Sequence, residues 1–159
     1  RTIYMNTFSK SIYPSLRLSV MVLPSELAEK YYAGGLACSV PRQMQHIVAR
    51  FIQEGYLSRH INRVRKFYGK KMMRIVTELK EKYPEIEISG EHTGMHFVLR
   101  VPDTDLRKAA GSHKIICMAD YSDEEKFNDT VLIGIGEREE ADIINILSEF
   151  LSSAGLGDK

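Results

Sequence analysis

The sequence has few of the features that mark secreted, metal-binding or membrane-spanning proteins. It contains two cysteines, Cys38 and Cys117, whose separation gives neither a metal-ligand spacing nor a disulfide framework, so a reducing cytosol suits it. No apolar run approaches the roughly 20 residues that a membrane-spanning helix needs. The formal net charge of +1 gives no global attraction to nucleic acid or to a membrane. What remains is an ordinary globular composition, 43% hydrophobic and 27% charged, in a chain long enough for a real core.

The chain consists of alternating patterns that are typical of strands and helices. Short apolar runs bounded by proline predict strands, and apolar residues at helical spacing predict helices. For the first half the predicted elements are the end of a strand at Ile3–Met5, a buried strand at Leu18–Leu23, a helix that Ser25 caps and Gly34 and Gly35 stop, a helix from Pro41 to Gly55, and a long helix from Tyr56 to Lys82 that Pro84 ends.

Beyond Pro84 the periodicity changes to that of a compact α/β layer. The predicted elements are a half-exposed strand at Ile86–Ile88, a strand at Met95–Val101, a helix at Asp103–Ala110 ended by Gly111, strands at Lys114–Met118 and Val131–Ile135, and an amphipathic helix at Glu139–Ser152. The order strand, strand, helix, strand, strand, helix predicts an α/β fold class for the chain.

One lysine near the start of the chain has neighbours that suit a chemical role. Thr7 and Ser9 place hydroxyls beside Lys10, and Arg17 follows after Pro14, which turns the chain between them. A lysine amine that its surroundings deprotonate condenses with aldehydes, and hydroxyls with a guanidinium suit phosphate oxygens. On spacing alone, a surface loop with a solvated Lys10 and Arg17 is the simpler interpretation.

Four segments together match one family pattern. They are Thr7-Phe8-Ser9-Lys10 with Pro14 and Leu16-Arg17-Leu18; Gly55-Tyr56 with His60-Ile61, Arg63, Arg65 and Tyr68; Gly90 with Gly94-Met95-His96; and Leu132–Gly136. With these segments the chain resembles, from Ile3 to Leu151, the aminotransferase-like domain of MocR-type transcription regulators in the GntR family. Such domains have the fold of pyridoxal-phosphate (PLP) aminotransferases of fold type I.

The resemblance implies a role for the lysine segment. Lys10 would be the catalytic residue that forms a Schiff base with PLP, and Thr7, Ser9 and Arg17 would surround the cofactor's phosphate. In the family the remaining contacts to the cofactor ring lie upstream of the lysine. The resemblance therefore implies that PLP belongs to the full-length protein and that this stretch alone binds it weakly or not at all.

The resemblance also implies an organisation and a set of partners. The chain would be the C-terminal portion of a PLP-dependent transferase fold, with the tail of a large domain at 1–55, a long connecting helix at 56–84 and a small α/β domain at 85–159. The full-length protein would be a cytoplasmic homodimer that senses PLP or an amine or amino acid ligand. It would reach DNA through an N-terminal domain that is not in this chain.

Several alternatives stay open at this point. Leu132 takes the place of an arginine that holds the substrate carboxylate in many relatives, which argues against ordinary transamination and leaves the enzymatic question undecided. One alternative is a fragment of a free-standing class I/II aminotransferase, and another is an α/β interaction domain without PLP function. Neither a metal site nor a membrane partner is predicted. The histidines are interpreted as structural, and the basic run of the long helix, Arg59 to Arg74, is interpreted as a solvated face.

Overall fold

The structure is a computed structural model that describes residues 2–35, 38–92, 94–121, 127–136 and 138–157. The chain divides into two compact units, Arg1–Arg63 and Val64–Lys159. Each unit has a hydrophobic core of its own. The buried core residues of the first unit are Leu16, Leu18 and Val48, whereas the second unit buries a much larger set that runs from Met72 to Leu156.

The first unit begins with a two-stranded antiparallel ribbon. Strand β1 (Tyr4–Thr7) pairs with β2 (Ser19–Val22) so that Tyr4 lies opposite Val22 and Thr7 lies opposite Ser19. All residues of both strands are exposed. The prediction of a buried strand over Leu18–Leu23 is therefore wrong for this chain, since only Leu18 is buried. A ribbon of two strands has too little surface to bury both of its faces by itself.

Two helices follow the ribbon, and prolines start both of them. Helix α1 (Ser25–Ala33) has Pro24 as its N-cap, and helix α2 (Arg42–Gln53) has Pro41. Ser25 was expected to cap α1, but it is the first helical residue, and the N-cap makes no side-chain hydrogen bond. Proline holds its φ near −65°, and the Pro24 carbonyl accepts the first helical N–H bonds from Leu27 and Ala28.

A long helix, α3 (Tyr56–Lys82), has the bounds that its apolar period and Pro84 predict. At about 1.5 Å per residue it is roughly 40 Å long. Its buried residues, Lys71, Met72, Ile75, Val76 and Leu79, all lie in the second unit. The division between the two units falls inside this helix, so α3 is the covalent link between them.

The second unit is a four-stranded antiparallel sheet with helices. The strands are β3 (Glu87–Ser89), β4 (His96–Arg100), β5 (Ile116–Cys117) and β6 (Thr130–Gly134), in the order β3-β4-β6-β5. The helices are α4 (Arg107–His113) and α5 (Glu140–Ser153). Alternation along β4 and β6 buries Phe97, Leu99, Val131 and Ile133 in the core. The predicted order of strands and helices in this part of the chain is confirmed.

The position of α4 differs from the prediction. It was expected at Asp103–Ala110, but it begins at Arg107 and passes through Gly111. Asp103 has a left-handed backbone with φ of 58°, a conformation that cannot be part of a right-handed helix. The N–H of Leu106 instead donates to the Asn128 carbonyl at 2.9 Å. Local sequence patterns cannot predict a hydrogen bond between two residues that lie so far apart in the sequence.

We predict that the 159-residue chain on its own self-associates through the β1–β2 ribbon. Met5 and Val22 are 71% and 57% exposed and lie on opposite faces of the ribbon, beside unpaired strand edges that favour association. The double substitution Met5→Lys and Val22→Lys is expected to shift sedimentation velocity profiles towards monomer. Met73→Lys is the matched control, since Met73 is 51% exposed on α3. A parent chain that stays monomeric at every concentration contradicts the prediction.

Candidate functional site

The lysine segment forms the loop between β1 and β2. The strand pairing Thr7↔Ser19 closes this loop, and the N–H of Phe8 donates to the Leu18 carbonyl at 3.0 Å. Inside the loop the N–H of Ile12 donates to the Phe8 carbonyl at 2.9 Å, which makes a tight turn around Lys10. A 3-10 helix at Pro14–Leu16 then returns the chain towards β2.

Two hydroxyls of this loop are joined directly. The Thr7 Oγ1 lies 3.1 Å from the Ser9 Oγ and 3.4 Å from the Leu18 carbonyl oxygen, and it accepts the N–H of Ser9 at 3.2 Å. A hydroxyl has one proton to donate. When Thr7 donates to Ser9, the proton of Ser9 is left to donate to a ligand.

Arg17 holds an unusual backbone conformation. Its φ and ψ of 48° and 35° are left-handed, and its N–H donates to the Pro14 carbonyl at 3.3 Å. The residues on either side, Leu16 and Leu18, are buried against Val48, which fixes the backbone while the Arg17 side chain stays exposed. A residue other than glycine pays about 1–2 kcal/mol for this conformation, and such strain clusters at functional sites.

The loop therefore carries two cations and two hydroxyls. Lys10 and Arg17 are both exposed, and neither forms an ion pair with any residue in the described part of the chain. The structure joins Thr7 and Ser9 by hydrogen bonds and places Lys10 and Arg17 in the same closed loop, without a hydrogen bond between these two. Donors of this kind suit a phosphate group, and the amine suits an aldehyde.

Arginines of the second unit differ in their availability. Arg100 donates to Asp129 at 2.7 Å and to Glu87 at 3.1 Å, and these hydrogen bonds raise the pKa of its guanidinium. Burial raises the pKa of Asp129, but hydrogen bonds from Thr130 and Arg100 more than offset that effect and hold the pKa below its ordinary value. Arg100 is thus already engaged. Arg138, by contrast, forms no side-chain ion pair within the ranges that the structure describes.

Sequence reasoning missed how α3 holds the segment that follows β6. Lys71 was expected on a solvated basic face, but it is buried, and its ammonium donates to the Arg138 carbonyl. Nearby, the hydroxyl of Tyr68 donates to the Gly136 carbonyl at 3.3 Å, and Arg74 pairs with Glu140 at 3.3 Å. The only signal for Lys71 was its place between the apolar positions of α3, one residue before Met72.

Comparison with curated proteins gives relatives among bacterial regulators. The chain is 35% identical over 153 residues to the HTH-type transcriptional regulator YhdI of Bacillus subtilis, covering 90% of this chain and 32% of that protein. It is 40% identical over 108 residues to the HTH-type transcriptional regulator YdeL of the same organism, covering 64% and 22%. It is 32% identical over 103 residues to the probable rhizopine catabolism regulatory protein MocR of Rhizobium meliloti, covering 63% and 21%. The chain spans a third or less of the length of these relatives.

Comparison with solved structures gives aminotransferases. The multiple substrate aminotransferase of Thermococcus profundus superposes with a TM-score of 0.80 at 19% identity, covering 96% of this chain and 41% of that one. The kynurenine aminotransferase of Pyrococcus horikoshii gives 0.79 at 22% identity, covering 96% and 40%. The predicted fold, the C-terminal portion of an aminotransferase, is thereby confirmed. No protein-family model matches the chain, and no helix in the described ranges is long and apolar enough to cross a membrane.

We predict that Arg17→Gly leaves the stability of the complete protein within about 1 kcal/mol of the parent, because glycine adopts the left-handed conformation freely. Arg17→Val removes the same guanidinium but is expected to cost at least about 1 kcal/mol more, since a β-branched residue fits that conformation poorly. Urea unfolding of the two variants measures the difference. A glycine variant less stable than the valine variant would show that the side chain, and not the backbone, determines stability here.

Proposed function

Because the chain matches the aminotransferase-like domain of MocR-type transcription regulators in sequence and in fold, we propose that it is the C-terminal part of a PLP-binding effector domain. The complete protein would sense PLP, an amine or an amino acid, and it would act as a cytoplasmic homodimer. DNA contacts would come from an N-terminal domain outside this chain. The observation that carries the proposal is the closed loop that contains Lys10, Arg17 and the Thr7–Ser9 hydroxyl pair, with neither cation in an ion pair among the described residues.

In this proposal each of the four site residues of the loop has a different role. Arg17 would hold two phosphate oxygens with its planar guanidinium, and the proton left on Ser9 would serve a third. Thr7 would orient Ser9 by donating its single hydroxyl proton to the Ser9 oxygen, while the Ser9 N–H donates to the Thr7 oxygen. Lys10 would offer its amine from the turn that Phe8 and Ile12 close. When bound, PLP supplies the aldehyde for this amine and an electron sink for carbon chemistry next to it.

The domain boundaries follow from the same proposal. Residues 1–55 would close a large PLP-binding domain, 56–84 would connect, and 85–159 would form the small domain. The small core and the exposed ribbon of the first unit support the proposal that residues 1–55 belong to a larger domain. Met5, Val20 and Val22 expose apolar surface that a larger sheet would cover.

Two observations favour a regulator over a free-standing aminotransferase. The sequence relatives are HTH-type transcriptional regulators, whereas the aminotransferases resemble the chain in fold at 22% identity or less. In addition, Leu132 of β6 lies opposite Val98 of β4 and Ile116 of β5, so this row of paired residues contains no charged side chain. A sensor needs only a ligand that favours one of two conformations, and fast turnover is not required.

We predict that borohydride reduction of the complete protein with PLP labels Lys10. The label, located by peptide mass spectrometry, should vanish in Lys10→Ala and persist in Lys30→Ala, an exposed lysine of α1 in the same unit. Arg17→Gly should weaken PLP binding by about tenfold to a hundredfold, the loss expected when a charge-assisted pair is removed. Undiminished labelling of the Lys10→Ala variant would contradict the assignment.

We also predict that transamination by the complete protein is far slower than the roughly 10 per second that is typical of enzymes. The measurement is a screen of common amino donors with 2-oxoglutarate or pyruvate, together with a DNA mobility-shift assay. DNA binding that responds to PLP or to an amine is the expected result. Turnover at the typical rate without DNA binding would instead favour the free-standing aminotransferase.

A further inference from the structure

The second unit contains a pocket that shares no residue with the lysine loop. It has a volume of about 230 Å³ and lies beside β6, where the two-residue edge strand β5 begins at Ile116. Because β5 covers only Val131 and Leu132 of β6, the following residues, Ile133 and Gly134, are left to line the pocket. Helix α5 forms the opposite wall.

The wall of this pocket is mostly aliphatic. Its apolar lining consists of Ile115, Ile116, Leu132, Ile133, Ile143, Ile146 and Leu147. Ile143 and Leu147 are buried in the core, whereas Leu132 and Ile146 are half-buried. A ligand with a branched or cyclic hydrocarbon body would therefore remove apolar surface of the protein from water as it entered, which favours binding.

Positive charge accompanies this wall. Lys114 and Arg138 line the pocket, and no aspartate or glutamate is among its described lining residues. Neither cation forms an ion pair in the described part of the chain. The buried Lys71 anchors the backbone of Arg138 by donating to its carbonyl, and the Lys114 N–H donates to the Gly111 carbonyl at 3.3 Å. Both cations are thus carried on fixed backbone, and neither side chain has a hydrogen-bond or ion-pair partner among the described residues.

We propose that this pocket binds a small monocarboxylate with an aliphatic or single-ring body. The hydrocarbon would lie on the Leu132 and Ile146 wall, and the carboxylate would meet Arg138 and Lys114. An inorganic phosphate would leave the apolar wall exposed to water, and a neutral molecule would leave both cations without a partner. The pocket shares no residue with the proposed PLP loop, and its test does not require PLP to bind.

Gly134 offers a way to block the pocket without breaking the fold. It lines the pocket, and a Cβ built on it meets nothing within 4 Å. Its φ does not require glycine, and valine suits a strand better than glycine does. Gly134→Val should therefore fill the space while keeping the melting temperature at or above that of the parent. Gly136→Ala is the matched control, because Gly136 also has open space but does not line the pocket.

The test measures binding of 4-methylpentanoate, of its uncharged amide and of inorganic phosphate to the complete protein, by saturation-transfer NMR and calorimetry. The carboxylate is expected to bind with a Kd on the order of 1 mM, as its eight non-hydrogen atoms allow at ordinary ligand efficiency. The amide should bind at least about tenfold more weakly, because it lacks the charge-assisted hydrogen bonds, and phosphate should not compete.

Variants decide where the carboxylate binds. Gly134→Val should abolish binding and Gly136→Ala should preserve it, while Arg138→Gln and Lys114→Gln should each weaken it by about threefold to tenfold. Equal binding of acid and amide, competition by phosphate, or binding that survives Gly134→Val in a folded protein would each overturn the proposal. No binding of the carboxylate to the parent protein would overturn it as well.

Discussion

The position of Leu18 determines the geometry of the candidate site. Its side chain is buried with Leu16 and Val48, and its carbonyl accepts the N–H of Phe8 and lies within reach of the Thr7 hydroxyl. One residue thus joins the small core of the first unit to both ends of the lysine loop. Arg17, held between the two buried leucines, has to take a left-handed backbone while its side chain remains exposed. The strain and the exposed guanidinium are consequences of the same packing.

The two units differ in the size of the hydrophobic core that stabilises each of them. In the second unit, strand alternation and the apolar stripes of α3 and α5 bury one continuous core. In the first unit the ribbon is exposed on both faces, and among the residues described there only three hydrophobic side chains, Leu16, Leu18 and Val48, are buried. A small core offsets little of the conformational entropy lost on ordering the chain. The loop that carries Lys10 therefore rests on a smaller core than the sheet of the second unit does.

The sequence predicted those elements whose signals are local. The predicted bounds of α3 were correct at both ends, because a long apolar period and Pro84 define them. Helix α4 was misplaced because the bond from Leu106 to Asn128 sets its start, and no local pattern encodes that partner. The prediction of a solvated face on α3 was wrong at Lys71. This lysine can be buried because its ammonium donates to a carbonyl 67 residues away, and no local pattern predicts that contact.

The candidate site was predicted for a different reason. Spacing alone favoured a solvated loop. Only the family resemblance predicted that four residues form one site, namely Thr7, Ser9, Lys10 and Arg17. Their closure into one loop is a fact of the structure. The pocket beside β6 could not be predicted in this way, because it lies where β5 leaves Ile133 and Gly134 without a strand partner on that side, and strand length at a sheet edge is weakly encoded in sequence.

The cations of the second unit separate into two classes, which limits where a ligand can bind. Lys71, Arg74 and Arg100 are committed to a carbonyl or to carboxylates, and breaking those bonds would cost the ligand part of its binding free energy. Lys114 and Arg138 carry no such commitment among the described residues, and both stand at an apolar wall. An anion that met the committed cations would compete with the protein itself, whereas one that met the free pair would compete only with water. A cation that has no partner among the described residues and lies at an apolar wall is therefore a better guide to a binding site than charge density along the chain, which is highest on α3.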